Sequence, residues 1–252
     1  MKNKIAFVIS ALVFALTMTA CGSNEPAETP SVADGDKSIV QEKLNKQEES
    51  KTADTKPSDD DKQSDETNAP AKKPEEQTSD DTNILVAYFS RADENYSVGT
   101  VEVGNTQILA EYIADEVGAD SFHIETVTPY PKDYDDCCDV AKQELADKAR
   151  PEIQGGVDKM EQYDIVFLGY PIWWGDMPMA VYTFMESYDW SDKVVIPFCT
   201  HEGSGLSGTD SNIKDATGAQ VLTAIDMRGT TAQELSDDTK QTVRDWLDDL
   251  GF

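Results

Sequence analysis

Three stretches of this chain carry residues whose types and spacing suit the gripping of a flat, phosphorylated molecule. The first runs from Ser90 and Arg91 to Gly104-Asn105-Thr106. Gly104 permits a tight turn, and Asn105 and Thr106 open a helix whose first N–H groups have no partner within it. Such a helix end attracts phosphate through those N–H groups and through its dipole. The second stretch is Pro171-Ile172-Trp173-Trp174-Gly175. Two consecutive Trp residues in a turn cannot both face a core, so one is available to stack on a planar ring. The third is Thr200-His201-Glu202-Gly203-Ser204-Gly205. Its glycines allow close backbone approach, and its hydroxyl and N–H groups suit the polar edge of a heterocycle. Taken singly, each stretch also reads more plainly: an ordinary helix cap, one core and one surface Trp, a flexible loop.

Other chemistries find little support. No constellation of Ser, Cys or His marks a nucleophile. His201 beside Glu202 could pass a proton, although such a pair in a loop is ordinarily just solvated, and His123 reads as structural. Cys137 and Cys138 read as two reduced thiols on a helix. There is no CxxC and no Cys/His metal spacing, and two histidines in the chain count against a His-rich metal site. The formal net charge is −28, of which about −21 falls after residue 82. Such a surface repels nucleic acid and anionic lipid. A phosphate must then be held by aimed local donors.

The elements that position these stretches alternate along the chain. NILVAYFS (83–90) and DIVFLGYP (164–171) are continuous apolar runs, as expected of strands buried on both faces. KVVIPFCT (193–200) is a third such run, although Pro197 is an irregularity in any ladder. SFHIETV (121–127) alternates and reads as a strand nearer an edge, and VLTAID (221–226) reads as the last strand. Helices are expected from Asn105 to Gly118, from Asp135 to Lys148, after Pro178, from Asp210 to Ala216, and from Ala232 to Leu250. Five strands, each followed by a helix, define an α/β, doubly wound, five-stranded parallel sheet. In such sheets ligands sit beyond the carboxyl ends of the strands, which is where all three stretches fall.

The region before the domain is different. Residues 1–21 have a basic start, an apolar run too short to span a membrane comfortably and small residues before Cys21, the pattern of a secretory signal. Met18-Thr19-Ala20-Cys21 resembles the bacterial lipoprotein lipobox, which implies acylation of Cys21 and an extracytoplasmic protein lipid-anchored to the bacterial cell membrane. Residues 22–82 are polar and acidic, and are expected to form a disordered linker with no helix at QEKLNKQEES. Residues 83–252 form the domain.

From Ile84 to Phe252 the chain resembles the flavodoxin family. The resemblance rests on ILVAYFS followed by VGNT, on DIVFLGYPIWWGDMP, on VVIPFCTHEGSG and on the closing DWLDDLGF. It implies strand order 2-1-3-4-5 and FMN as cofactor. It further implies that Ser90, Gly104, Asn105 and Thr106 hold the phosphate, that Pro171 to Gly175 flank the isoalloxazine, and that Thr200 to Gly205 meet its other edge. The chain departs from the family in two places. RADENY is inserted in a phosphate loop that is usually compact, which leaves Arg91 and Tyr96 without counterparts. The third loop lacks the aromatic that many flavodoxins place on the outer ring face, a place open to His201 or to a substrate. The function expected is an FMN-binding electron-transfer protein whose redox partner the sequence does not name. The alternatives are an FMN-dependent NAD(P)H or quinone reductase and a non-catalytic binding lipoprotein. The absence of GxGxxG after a strand favours the carrier.

Overall fold

The computed structural model describes residues 30–33, 35–53 and 83–252. The expected signal, Cys21 and the linker residues 22–29, 34 and 54–82 lie outside these. In chain order the elements are α1 (Asp36–Ala53), β1 (Ile84–Tyr88), β2 (Asp93–Asn95), β3 (Gly99–Val101), α2 (Asn105–Val117), β4 (Asp120–His123) and α3 (Tyr134–Asp147). There follow β5 (Ile165–Pro171), α4 (Met179–Glu186), β6 (Val194–His201), α5 (Thr209–Thr217), β7 (Gln220–Val221), β8 (Ile225–Arg228), α6 (Gly229–Glu234) and α7 (Asp237–Leu250).

The apolar strands explain the layering. Every residue of β1 is buried. Its alternate side chains serve two cores, because successive residues of a strand point to opposite faces. Ile84, Val86 and Tyr88 join Leu109, Ile113, Val243 and Trp246, which come from α2 and α7. Leu85, Ala87 and Phe89 join Val181, Phe184 and Ile213, which come from α4 and α5. The sheet order is β4-β1-β5-β6-β7, with β8 also on β6, and every pairing is parallel. This is the expected 2-1-3-4-5 order.

The fifth strand is broken where a continuous one was expected. Val195 pairs with Val221 and Phe198 with Ile225, so three steps along β6 face four along its neighbour. The extra residue lies opposite Pro197, which has no N–H to give. The ladder therefore loosens where β6 could not have completed it. The expected single terminal helix is also two. Leu235 adopts a left-handed φ of 36°. The Ser236 hydroxyl then accepts from Thr239 N at 3.2 Å and caps a new helix.

The expectation of a disordered, helix-free linker over 22–82 is corrected at α1. Val40 is fully buried in the core that holds Trp246 and Leu250, and Ile39 and Leu44 pack against the same cluster. The segment enters by hydrogen bonds to the broken fifth strand. Thr223 N donates to Asp36 Oδ2 at 2.8 Å and Ala33 N donates to Thr223 Oγ1 at 2.9 Å. Polar composition hid three apolar residues at helical spacing and a carboxylate placed for a strand that had lost its neighbour. Among the described residues no helix is long and apolar enough to cross a membrane. Truncating Val40 to Ala removes two buried methyls from the core that holds Trp246, and is expected to lower stability by about 1–2 kcal/mol in denaturant titration.

Candidate functional site

The carboxyl ends of β1, β5 and β6 deliver the three turns to one place. Thr106 at the start of α2 and Thr200 near the end of β6 are both buried, and their hydroxyls share a hydrogen bond of 2.8 Å. Ile172 N donates to Thr200 O at 2.8 Å and brings the second turn to the third. A cavity of about 140 Å³ lies among them, lined by Asn105, Pro171, Ile172, Trp173, Thr200, His201 and Glu202. A larger one, about 610 Å³, adjoins it and shares Asn95, Tyr134, Ile172 and Trp173.

In the first turn the Ser90 hydroxyl accepts from Gln107 N at 3.0 Å. The N–H groups of Asn105 and Thr106 precede any intrahelical acceptor, and no partner for them is found among the described residues. Gly104 fits because it lacks a side chain. A Cβ there would stand 2.3 Å from Ser90 Oγ and 2.5 Å from Arg91 O. Asn105 turns its amide towards α6, accepting from Gln233 Nε2 at 2.9 Å and lying against the bare Cα of Gly229.

Arg91 lines the larger cavity, and its guanidinium is engaged by backbone carbonyls of the insertion and of the segment before α3. Its Nε and Nη2 donate to Pro131 O at 3.1 and 2.8 Å, and Nη2 reaches Lys132 O at 2.6 Å. Nη1 donates to Glu94 O. The guanidinium has five donors, and three converging carbonyls hold it. It fastens the β2–β3 hairpin, formed by the inserted residues, to the segment before α3.

The second turn separates the two Trp residues. Trp174 and Gly175 both have positive φ, 55° and 80°, and Trp173 and Asp176 exchange backbone hydrogen bonds of 2.8 and 3.1 Å across them. Trp173 meets Phe89 and Tyr130 edge to face at 5.3 and 5.1 Å, and lines both cavities. Trp174 is 53% exposed. It lies on α3, donating from Nε1 to Cys138 O at 3.0 Å beneath Lys142, and lines only the larger cavity. Asp176 fixes the turn from below, since Tyr182 Oη and Asn212 Nδ2 both donate to its Oδ1 at 3.0 Å.

In the third turn His201 lines the smaller cavity, and both its ring nitrogens are engaged within the domain. Its side chain is 8% exposed. Nδ1 accepts from Gly203 N at 2.7 Å, so Nε2 carries the proton it shares with Asp226 Oδ1 at 2.7 Å. His201 holds the Asp226 carboxyl below the usual range, against the opposing effect of burial. Glu202 Oε1 accepts from Thr230 N at 3.2 Å, and Oε2 lies 3.8 Å from Arg228 Nη1. Gly203, Ser204 and Gly205 form the outer rim, away from the cavity lining.

Sequence reasoning missed Asn95 and Tyr134 and left Tyr96 without a role; all three line the smaller cavity. The available signal was the turn-forming run DENYSVG inside the insertion, which reads as a hairpin. Burial pushes the Cys137 thiol up to about 11, which leaves it a poor nucleophile at neutral pH. Among the described residues no group of carboxylate, His or Cys side chains is placed to hold a metal ion.

A doubly wound parallel sheet with a three-turn cleft at its carboxyl rim defines the class of protein. The flavodoxin family model matches residues 83–250, and the chain belongs to the flavodoxin family. Among solved structures, it resembles a candidate flavoprotein from Bacteroides eggerthii DSM 20697 at 29% identity and TM-score 0.53, over 67% of this chain and 98% of that one. A candidate flavoprotein from Bacteroides uniformis ATCC 8492 is 26% identical with TM-score 0.51, over 64% and 97%. A flavoprotein in complex with FMN from Lactobacillus acidophilus NCFM is 21% identical with TM-score 0.46, over 60% and 96%. No curated protein matches the chain.

Two outcomes follow from this geometry. Gly104→Ala forces a methyl against backbone, and is expected to cost about 1–3 kcal/mol by thermal or denaturant unfolding. Asp226 has its folded pKa depressed, so its stabilisation is present above the unfolded value of about 3.9 and lost as pH falls through the lower folded value. In an acid titration followed by circular dichroism, Asp226→Asn is expected to abolish this part of the loss below about pH 4.

Proposed function

We propose that this chain is an FMN-binding electron-transfer protein, tethered outside the cytoplasm through a lipid on Cys21. The observation that carries the reading is the convergence of the three turns, tied together by the Thr106–Thr200 hydroxyl pair and opening on shared cavities. The residues present fit the cofactor. The uncapped start of α2 offers N–H donors where a phosphate binds, and a cradle at Gly104 that a side chain would fill. The joined cavities fall in the range for a cofactor site, roughly 300–1,000 Å³. Trp173, held by Phe89 and Tyr130, presents a fixed aromatic surface to both.

The flavin supplies reversible electron uptake when bound, and the protein supplies orientation and field. Asn105, Thr106 and Ser90 position the phosphate end. Glu202 and Asp226 add to an acidic domain whose field opposes extra electrons at the ring and lowers its potential. Burial within the cleft restricts water at the ring. The lipid anchor and the extracytoplasmic setting rest on the residues before Cys21, and the electron donor and acceptor are redox partners outside the chain.

The full-length protein is expected to purify yellow, with one FMN per chain. A colourless protein that FMN cannot reconstitute would rule the reading out. Trp173→Ala is expected to weaken FMN about tenfold, equivalent to ~1.4 kcal/mol, by fluorescence titration. Cys21→Ser is expected to move the protein from the membrane to the soluble fraction of its cells.

A further inference from the structure

The insertion in the first loop has a built structure for which phosphate binding gives no reason. β2 and β3 pair antiparallel, Asp93 with Val101 and Asn95 with Gly99. A free two-stranded hairpin is marginal in water, and this one is fastened at several points. Arg91 joins it to the carbonyls of Pro131 and Lys132. Glu94 N donates to Lys132 O at 3.3 Å, and Tyr134 N donates to Glu94 Oε2 at 3.1 Å. Asn95 Nδ2 ties the turn internally, donating to Asp93 O at 3.1 Å. All these contacts are polar, so the hairpin is held without burying its own aromatic.

That aromatic is Tyr96, 62% exposed at the tip. Its ring lies 5.9 Å from that of Tyr134, tilted by 31°. Both line the smaller cavity, with Trp173, Thr200 and His201 among its other walls. Tyr134 also lines the larger cavity and so stands at the junction of the two. His201, the candidate ring neighbour within the third turn, lines the same cavity but has both ring nitrogens engaged, by Asp226 and by Gly203 N.

We infer that Tyr96 and Tyr134 form the second aromatic wall of the flavin slot, carried by the inserted hairpin and the first residue of α3 in place of the third turn. The inference rests on the FMN reading and adds to it the contacts made by the far face of the ring. Two tyrosines fixed by backbone anchors meet a planar ring at little entropic cost. The clamp therefore acts on the ring and not on the phosphate.

The test compares FMN and riboflavin binding to the full-length wild-type protein, Tyr96→Ala/Tyr134→Ala and Tyr96→Phe/Tyr134→Phe. Flavin fluorescence quenching and calorimetry are read together with circular dichroism of the flavin-free proteins. The Ala pair is expected to weaken both ligands by the same factor, about tenfold, with less quenching of bound flavin. The Phe pair is expected to restore both affinity and quenching. Loss of FMN affinity alone, with riboflavin unaffected, would place the tyrosines at the phosphate and overturn the clamp. Unchanged affinity and quenching in the Ala pair, with wild-type binding intact, would overturn the clamp and leave the FMN reading standing. Failure of the wild-type protein to bind either flavin would remove both. The single variant Tyr96→Ala, at an exposed tip, keeps the test open should the double variant unfold.

Discussion

Two buried hydroxyls that bond to each other hold the functional end of this molecule together. A buried hydroxyl without a partner is costly, and two that satisfy each other confine their backbones to one arrangement. Thr106 begins α2 and Thr200 sits at the rim of β6, on strands separated in the sheet by β5. Their contact fixes the first turn relative to the third, and the bond from Ile172 N to Thr200 O adds the second. The surrounding features follow from that fixed frame. Gly104 must be bare so that the first turn can press on Ser90, and Gly229 must be bare to admit the Asn105 amide.

Much of the fold was readable because the information lay in continuous apolar strands. ILVAY, IVFLGYP and VVIPFCTH each fill their burial on both sides, which only a sheet between two helix layers provides. The turns were readable for the same reason, since such a sheet exposes its loops at one rim. The features that were not readable depend on pairwise polar contacts between distant segments. Nothing in RADENY states that the Arg91 guanidinium will find the carbonyls of Pro131 and Lys132. Nothing local to His201 states that Asp226 will claim its ring. The double Trp was half readable: one indole packs inward, but which one depends on the two positive φ angles at Trp174 and Gly175.

Acidity and specificity are separate matters in this chain. The long-range field is negative, yet the Gly104-Asn105-Thr106 corner itself carries no charged side chain and offers directed donors. Local N–H geometry can hold an anion within a hostile field because it acts over a few ångströms, whereas surface charges are screened over about 8–10 Å at physiological salt. Arg228, beside Glu202, is a positive charge at the third turn, and it is largely exposed. The rim therefore combines short-range attraction for one ligand with long-range rejection of polyanions.

The seating of α1 changes what counts as the folding unit. Thr223 N donates to Asp36, its hydroxyl oxygen accepts from Ala33 N, and its carbonyl accepts from Trp246 Nε1. A fragment beginning at Asn83 would lose the partners of the Thr223 N–H and hydroxyl and uncover the part of the core that Val40 fills. Proteolytic nicking within 54–82 would turn the seating of α1 into a bimolecular association and remove the effective concentration, on the order of millimolar, that the intact chain supplies.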